Sequence, residues 1–133
     1  MAVRYRRIDY KYTVSSRGRL ESFHSHTVAS AVWRPPTDVV ETAGSVELTV
    51  EVPGLDEDDF EITLFQNALV VEGIRRRPQH LPDCRYQSAE IRYGRFRLEV
   101  AIPGDIDAEN TSANYLAGML YIQVPRSLGR TGQ

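Results

Sequence analysis

Residues 46–73 read VELTVEVPGLDEDDFEITLFQNALVVEG, and the period of their apolar side chains is two. Val46, Leu48, Val50 and Val52 alternate with Glu47, Thr49 and Glu51; after a break, Phe60, Ile62 and Leu64 alternate with Glu61 and Thr63. Successive side chains of an extended chain point to opposite faces, so each run predicts a strand with one dry face and one wet face. ALVVEG (68–73) reads as a further strand. The joints agree with this reading. Pro53-Gly54 ends the first run, and the acidic residues that follow suit a single helical turn. QNA (66–68) is a tight connection in which Asn67 can take a positive φ.

The same pattern continues on both sides. Upstream, TDVVET (37–42) reads as a shorter strand, joined to the next by AGS (43–45), with Gly44 free to take a positive φ. Downstream, Phe96, Leu98, Val100 and Ile102 alternate with Arg97, Glu99 and Ala101, and Leu120, Ile122 and Val124 alternate with Tyr121 and Gln123. Residues 111–116 supply a strand between them. PGDIDAEN (103–110) echoes PGLDEDD (53–59). Gly118, directly before the last run, suits a tight turn between two strands. No segment offers three turns of helical amphipathicity. Short strands separated by turn signals predict an all-β fold, an immunoglobulin-like antiparallel β-sandwich.

Two stretches depart from this pattern. Residues 75–92, RRRPQHLPDCRYQSAEIR, form a long connection between strands, and such loops are functional, disordered or paired with another chain. Residues 1–34 are the other. IDYKYTV (8–14) alternates Ile8, Tyr10, Tyr12 and Val14 and can be a strand; the residues after it have no period. Seven basic against two acidic residues give this arm a balance of +5, and the net charge of −2 leaves −7 on the rest. A basic arm on an acidic body can contact nucleic acid, or it can pack on acidic surfaces of its own or neighbouring subunits. The second reading is preferred, because the body would repel phosphate.

The length of 133 residues suits one domain with a single core. No apolar run approaches the roughly eighteen residues of a membrane span, and the charged start MAVRYRRIDYKY reads as no secretory signal. With Cys84 the lone cysteine, the chain reads as soluble and cytoplasmic.

A search for reaction chemistry is negative. The DEDD run (56–59) lacks the spacing and glycine of a calcium loop. His24 and His26 could join His80 or Cys84 around a metal, but no local ligand pair supports it. Cys84 reads as a loop thiol without a partnering base. The sequence therefore predicts no catalytic, cofactor or metal residues, and no enzyme.

Four segments, in order, resemble the small heat-shock proteins, which are built on the alpha-crystallin domain. WRPPTDVVET (33–42) resembles that family's lead into its first core strand, and the 46–73 run resembles its proline-glycine, acidic turn, asparagine-leucine turn and glycine. EIRYGRF (90–96) resembles its tyrosine-glycine-x-phenylalanine segment. ANYLAGMLYIQVPR (113–126) is similar to its signature, in which Ala113, Gly118 and Leu120 hold the marked positions. The resemblance spans residues 33–126.

It implies an alpha-crystallin domain over 35–126, a basic, aromatic-bearing flexible arm over 1–34 and a short tail over 127–133. It implies that the long loop carries a strand that crosses to a partner sandwich and makes a strand-swapped homodimer. CRYQS would supply that strand through Cys84, Arg85, Tyr86, Gln87 and Ser88, with Glu90 beside it. Two departures stand out. Leu98 occupies the place where the family has an interface arginine, so it is expected in the core instead. The tail SLGRTGQ has Leu128 but no Ile-x-Ile/Val anchor, so a dimer or a small assembly joined through the arm is expected. The implied function is an ATP-independent holdase that binds partly unfolded proteins and prevents their aggregation. Its client sites would be the groove between the strands at 60–65 and 111–116 (Ile62, Leu64, Ala113, Tyr115) and the arm (Tyr10, Tyr12, Phe23, Trp33). The alternative is a co-chaperone-like module that binds one folded partner. No nucleic acid and no cofactor enter either reading.

Overall fold

The computed structural model describes residues 5–7, as backbone, and 32–127. Its strands are β1 (Tyr5–Arg7), β2 (Thr37–Glu41), β3 (Ser45–Glu51), β4 (Phe60–Phe65), β5 (Ala68–Arg75), β6 (Gly94–Ala101), β7 (Ser112–Leu116) and β8 (Met119–Pro125). They form two four-stranded sheets, β2-β3-β8-β7 and β1-β4-β5-β6. Every ladder is antiparallel except that of β1 on β4. The fold is the all-β sandwich that the period-two runs predict.

The alternating apolar residues become the facing layers of the core. Val46, Leu48 and Val50 stand opposite Val124, Ile122 and Leu120 in one sheet. In the other, Ile62, Val71 and Leu98 share a rung, as do Leu64, Leu69 and Val100. All of these are buried except Val100, which is half-buried. Burying each such aliphatic side chain contributes about 1.5–3 kcal/mol. A third rung holds Phe60, Gly73 and Phe96. A Cβ on Gly73 would overlap the Asp59 carbonyl oxygen and lie 2.8 Å from both Phe60 Cα and Phe96 Cζ. The glycine gives its space to the Asp59–Phe60 backbone and the Phe96 ring.

Both short hairpins use backbone that most residues avoid. Gln66 and Asn67 have φ of 43° and 62°, and Ala117 and Gly118 have 53° and 81°. Positive φ at both central positions matches the right-handed twist of the flanking strands. Gly118 is also crowded, since a Cβ there would stand 2.7 Å from Pro53 Cβ. The two proline-glycine segments do lead into single turns, 3₁₀ helices over Glu57–Asp59 and Ala108–Asn110.

The turn at Gly44 differs from expectation, because among the described residues the positive-φ glycines are 54, 94, 104 and 118. Thr42 organises that turn instead. Its Oγ1 accepts from the N–H groups of Gly44 (3.3 Å) and Ser45 (3.0 Å), and its own N–H donates to the Ser45 carbonyl (2.8 Å). A side-chain oxygen can close a turn in this way without left-handed backbone. The strand expected at 8–14 lies outside the described residues, whereas β1 forms just upstream, at 5–7.

Candidate functional site

Among the described residues β2 is an edge strand with one neighbour, β3. A sheet edge offers a row of backbone donors and acceptors to another chain. Here the edge is also apolar, with Val39 47% and Val40 52% exposed. Residues 37–51 hold four acidic side chains (Asp38, Glu41, Glu47 and Glu51), all exposed, and no basic one. Arg126 holds the far end of the strand. Its guanidinium pairs with Glu41 (2.7 Å) and donates to the Pro103 carbonyl (2.9 Å), and its N–H donates to the Gly44 carbonyl (2.9 Å). Arg126 is the basic residue after the proline of the 113–126 signature, although its role at this edge was not foreseen.

The residues expected to pair with a partner lie in the loop over 76–93, between β5 and β6. Cys84, Arg85, Tyr86, Gln87, Ser88 and Glu90 are all exposed and form no strand in the isolated chain. A tight turn closes between Leu81 and Cys84 (Cys84 N–H to Leu81 O, 3.1 Å), and Ser88 Oγ stands 3.4 Å from Glu90 Oε2. Leu81 and Ile91 are 77% and 62% exposed.

The loop is tied to the sandwich by a run of alternating cations and rings that sequence reading missed. Trp33 packs on Phe96 with ring centroids 5.6 Å apart. The Arg75 guanidinium lies 4.4 Å over the Trp33 ring and 5.7 Å from that of Tyr93. Arg77 lies within reach of both Tyr93 (4.9 Å) and Tyr86 (5.1 Å), and His80 meets Tyr86 edge-on at 5.4 Å. Cations over ring faces attract the negative part of the quadrupole, by about 0.5–1 kcal/mol at exposed sites. Arg75 is held further by the Arg92 carbonyl, which accepts from Nε (2.9 Å) and Nη2 (2.5 Å). Arg77, His80, Tyr86, Glu90, Ile91 and Tyr93 border a cleft of about 220 Å³.

Trp33, assigned from sequence to the arm, belongs to the sandwich. It is 6% exposed, its N–H donates to the Arg95 carbonyl and its own carbonyl accepts from Arg97 N–H. Its indole N–H donates to the Gly94 carbonyl (3.3 Å). An aromatic of this size packs best where its body is dry and its N–H has a partner. Tyr10, Tyr12 and Phe23, also named as client contacts, lie outside the described residues, as does Leu128.

The expected groove resolves into core and staple. Ile62, Leu64 and Ala113 are 0%, 2% and 4% exposed, so their side chains face the interior. A segment arriving along this side would meet the strand backbone before it met them. Tyr115 is half-buried. Its hydroxyl donates to the Val52 carbonyl (2.8 Å) and accepts from Leu55 N–H (3.3 Å), and its ring packs on Phe60 at 5.6 Å. It joins the two sheets on the side where β7 forms one edge and β1 lies against β4. Gly118 sits in the β7–β8 turn and Leu120 in the core. Leu98 is 1% exposed, facing inward as expected, while Arg97 on the other face lies 3.9 Å from Glu72 and 3.8 Å from Glu99.

Among the described residues no three His, Cys, Asp or Glu side chains are grouped to hold a metal ion, and no helix is long and apolar enough to cross a membrane. His24 and His26 lie outside those residues.

A comparison with family models matches residues 38–131 to the Hsp20/alpha crystallin family. The chain belongs to that family. Among curated relatives it is 30% identical over 92 residues to small heat shock protein C4 of Rickettsia felis, spanning 69% of this chain and 56% of that protein. The chain thus spans little more than half the length of that relative. Among solved structures, a small heat-shock protein from Xylella fastidiosa superposes with a TM-score of 0.69 at 28% identity, covering 77% of this chain and 94% of that one. Heat shock protein 16.0 from Schizosaccharomyces pombe gives 0.67 at 25% identity, with 75% and 93% covered. These structures share the alpha-crystallin sandwich, and the family's proteins are generally chaperones.

Proposed function

We propose that this chain is an ATP-independent holdase of the cytoplasm, acting as a strand-swapped homodimer. In that dimer residues 84–88 of each copy pair with the β2 edge of the other. The observation that carries the reading is the match in character between loop and edge. The loop over 76–93 has four arginines against two acids and exposes Leu81, Tyr86 and Ile91. The β2 edge has two exposed valines between Asp38 and Glu41, with Glu47 and Glu51 exposed on the adjoining β3 and no basic residue within 37–51. Opposite charge steers encounter, apolar burial and backbone pairing hold the product, and a two-fold axis makes the exchange reciprocal. The single cysteine, exposed in the loop, suits a reducing compartment.

A holdase acts by mass action. Binding non-native chains lowers their free concentration, and aggregation depends steeply on that concentration. The surface offered to clients would be exposed apolar side chains, Leu116 (64% exposed) on the edge strand β7 and Tyr121 (44%) on the neighbouring β8 included, with main-chain pairing that ignores client sequence. The test is light scattering from several unrelated heat-labile proteins without nucleotide. Suppression of turbidity for all of them supports the holdase. Tight binding of one folded partner, with no suppression for any client, would favour the co-chaperone-like alternative.

A further inference from the structure

The outer face of the β2-β3-β8-β7 sheet divides into an apolar half and an acidic half. On β7 and β8, Leu116 stands opposite Met119, and Tyr121 follows two residues on, on the same face. Leu116 and Tyr121 are 64% and 44% exposed, and Met119 is half-buried. On β3 and β2 the same face carries Glu51 opposite Met119, then Glu47, then Asp38 opposite Thr49. Their chain neighbours Leu48, Val50, Leu120 and Ile122 are buried, which turns this set to solvent. Neighbouring strands lie about 4.8 Å apart, so Leu116 is about 10 Å from the β3 acids, a distance that three extended residues span.

The acids of this face are uncompensated. On the outer face of the other sheet Arg97 stands 3.9 Å from Glu72 and 3.8 Å from Glu99. Among the described residues Asp38, Glu47 and Glu51 have no such partner, and residues 37–51 and 112–123 contain no Lys, Arg or His. Glu47 accepts from uncharged groups, Gln123 Nε2 at 3.4 Å and Ser45 Oγ at 3.5 Å. An apolar strip beside unpaired acids suits a chain that brings apolar side chains and positive charge together, and it repels an acidic one.

We infer that this face selects the class of client, taking non-native segments that combine apolar with basic residues over acidic segments of equal apolar content. The inference rests on the holdase reading and adds a preference to it. Leu116, Met119 and Tyr121 supply apolar contact, while Asp38, Glu47 and Glu51 supply discrimination. Each exposed charge pair contributes a factor of roughly one and a half to five, so three together give a preference of about tenfold. Salt should erode it, because all three acids are open to solvent.

The test uses the full chain and two labelled, unstructured peptides of equal length and equal leucine and phenylalanine content, one with lysine and one with glutamate at its polar positions. Anisotropy gives Kd for each at low and high salt. The doubly substituted variant Glu47→Gln/Glu51→Gln leaves β2 and its edge unaltered. Glu57→Gln/Glu109→Gln makes the same change in net charge at exposed acids of the two 3₁₀ turns, away from this face. The lysine peptide should bind about tenfold more tightly at low salt, the ratio falling to about twofold in Glu47→Gln/Glu51→Gln and holding in the control. Leu116→Ser should weaken both peptides by a similar factor. Equal ratios in the two doubly substituted variants would show that net charge, not this face, sets the preference, and equal binding of the two peptides by the parent would show that there is none. If neither peptide binds and self-association is lost in Glu47→Gln/Glu51→Gln alone, the face belongs to a second copy and the client assignment falls. Suppression of turbidity for unrelated heat-labile proteins without any peptide preference would sink selection and leave the holdase standing, whereas loss of both binding and suppression would sink the holdase itself.

Discussion

The two sides of the sandwich deal differently with the same hazard. On one side β2 ends its sheet, with no neighbour beyond it among the described residues and with valines and acids exposed, while a basic loop is tied through Arg77, Tyr93 and Arg75 to Trp33, in the lead into β2. On the other, β4 is covered by three residues of its own chain. Edge strands invite association, and proteins manage them by pairing, covering or charging them. In the proposed dimer one edge is left to another molecule while the other is covered from within. The two can then be changed independently.

The largest effect should abolish both sides together. We predict that Gly73→Val costs about 3 kcal/mol or more, because its side chain must displace the Asp59 carbonyl, the Phe60 backbone and the Phe96 ring, on the middle strand of β4-β5-β6. Urea denaturation would check this, and a variant of parental stability would mean that the sheet can repack around the new side chain. Next, removing residues 79–89 should empty only the β2 side. Sedimentation should show monomers, circular dichroism should remain β-rich, and exchange at 61–65 should be unaltered; a persistent dimer would refute pairing through 84–88. Gly118→Val should act at the β7–β8 turn, costing about 1–3 kcal/mol from its positive φ, with added crowding against Pro53. Thermal unfolding measures it. The mildest change, Arg77→Ala, removes the contact between Tyr93 and Tyr86 and should cost about 1 kcal/mol of loop order, raising the dimer dissociation constant about fivefold while the melting temperature holds. Equal dissociation constants would show that the stack does not position the loop.

Most of the sandwich was legible because its strands have one dry and one wet face, so burial writes a period of two into residues 46–52, 60–65 and 96–102. Even Leu98 could be placed from its neighbours in that period. The turn at Gly44 was misread because a threonine hydroxyl can replace left-handed backbone, and composition does not distinguish the two. Trp33 was misassigned for a related reason. It joins β6 through isolated backbone bonds, and a single bridging residue has no periodicity to display. The cation–ring stack was invisible because Arg75 and Arg77 look like solvated charge in an RRR run until the fold brings Tyr93 and Trp33 beside them. The β1–β4 pairing joins three residues to partners more than fifty positions away, and no local preference announces such a contact.

Trp33 is the chain's sole tryptophan, and its surroundings make it an optical probe already installed in the molecule. Its ring is shut away from water, with a guanidinium over one face and Phe96 beside it. Intrinsic emission therefore originates from one place, the junction of the loop base, the outer edge of β6 and the lead into β2. Its colour follows the wetting of that junction, and its intensity follows the position of Arg75. Binding or assembly that shifts the loop becomes visible without a label, whereas displacement of β1, at the opposite edge of the same sheet, should leave the signal dark.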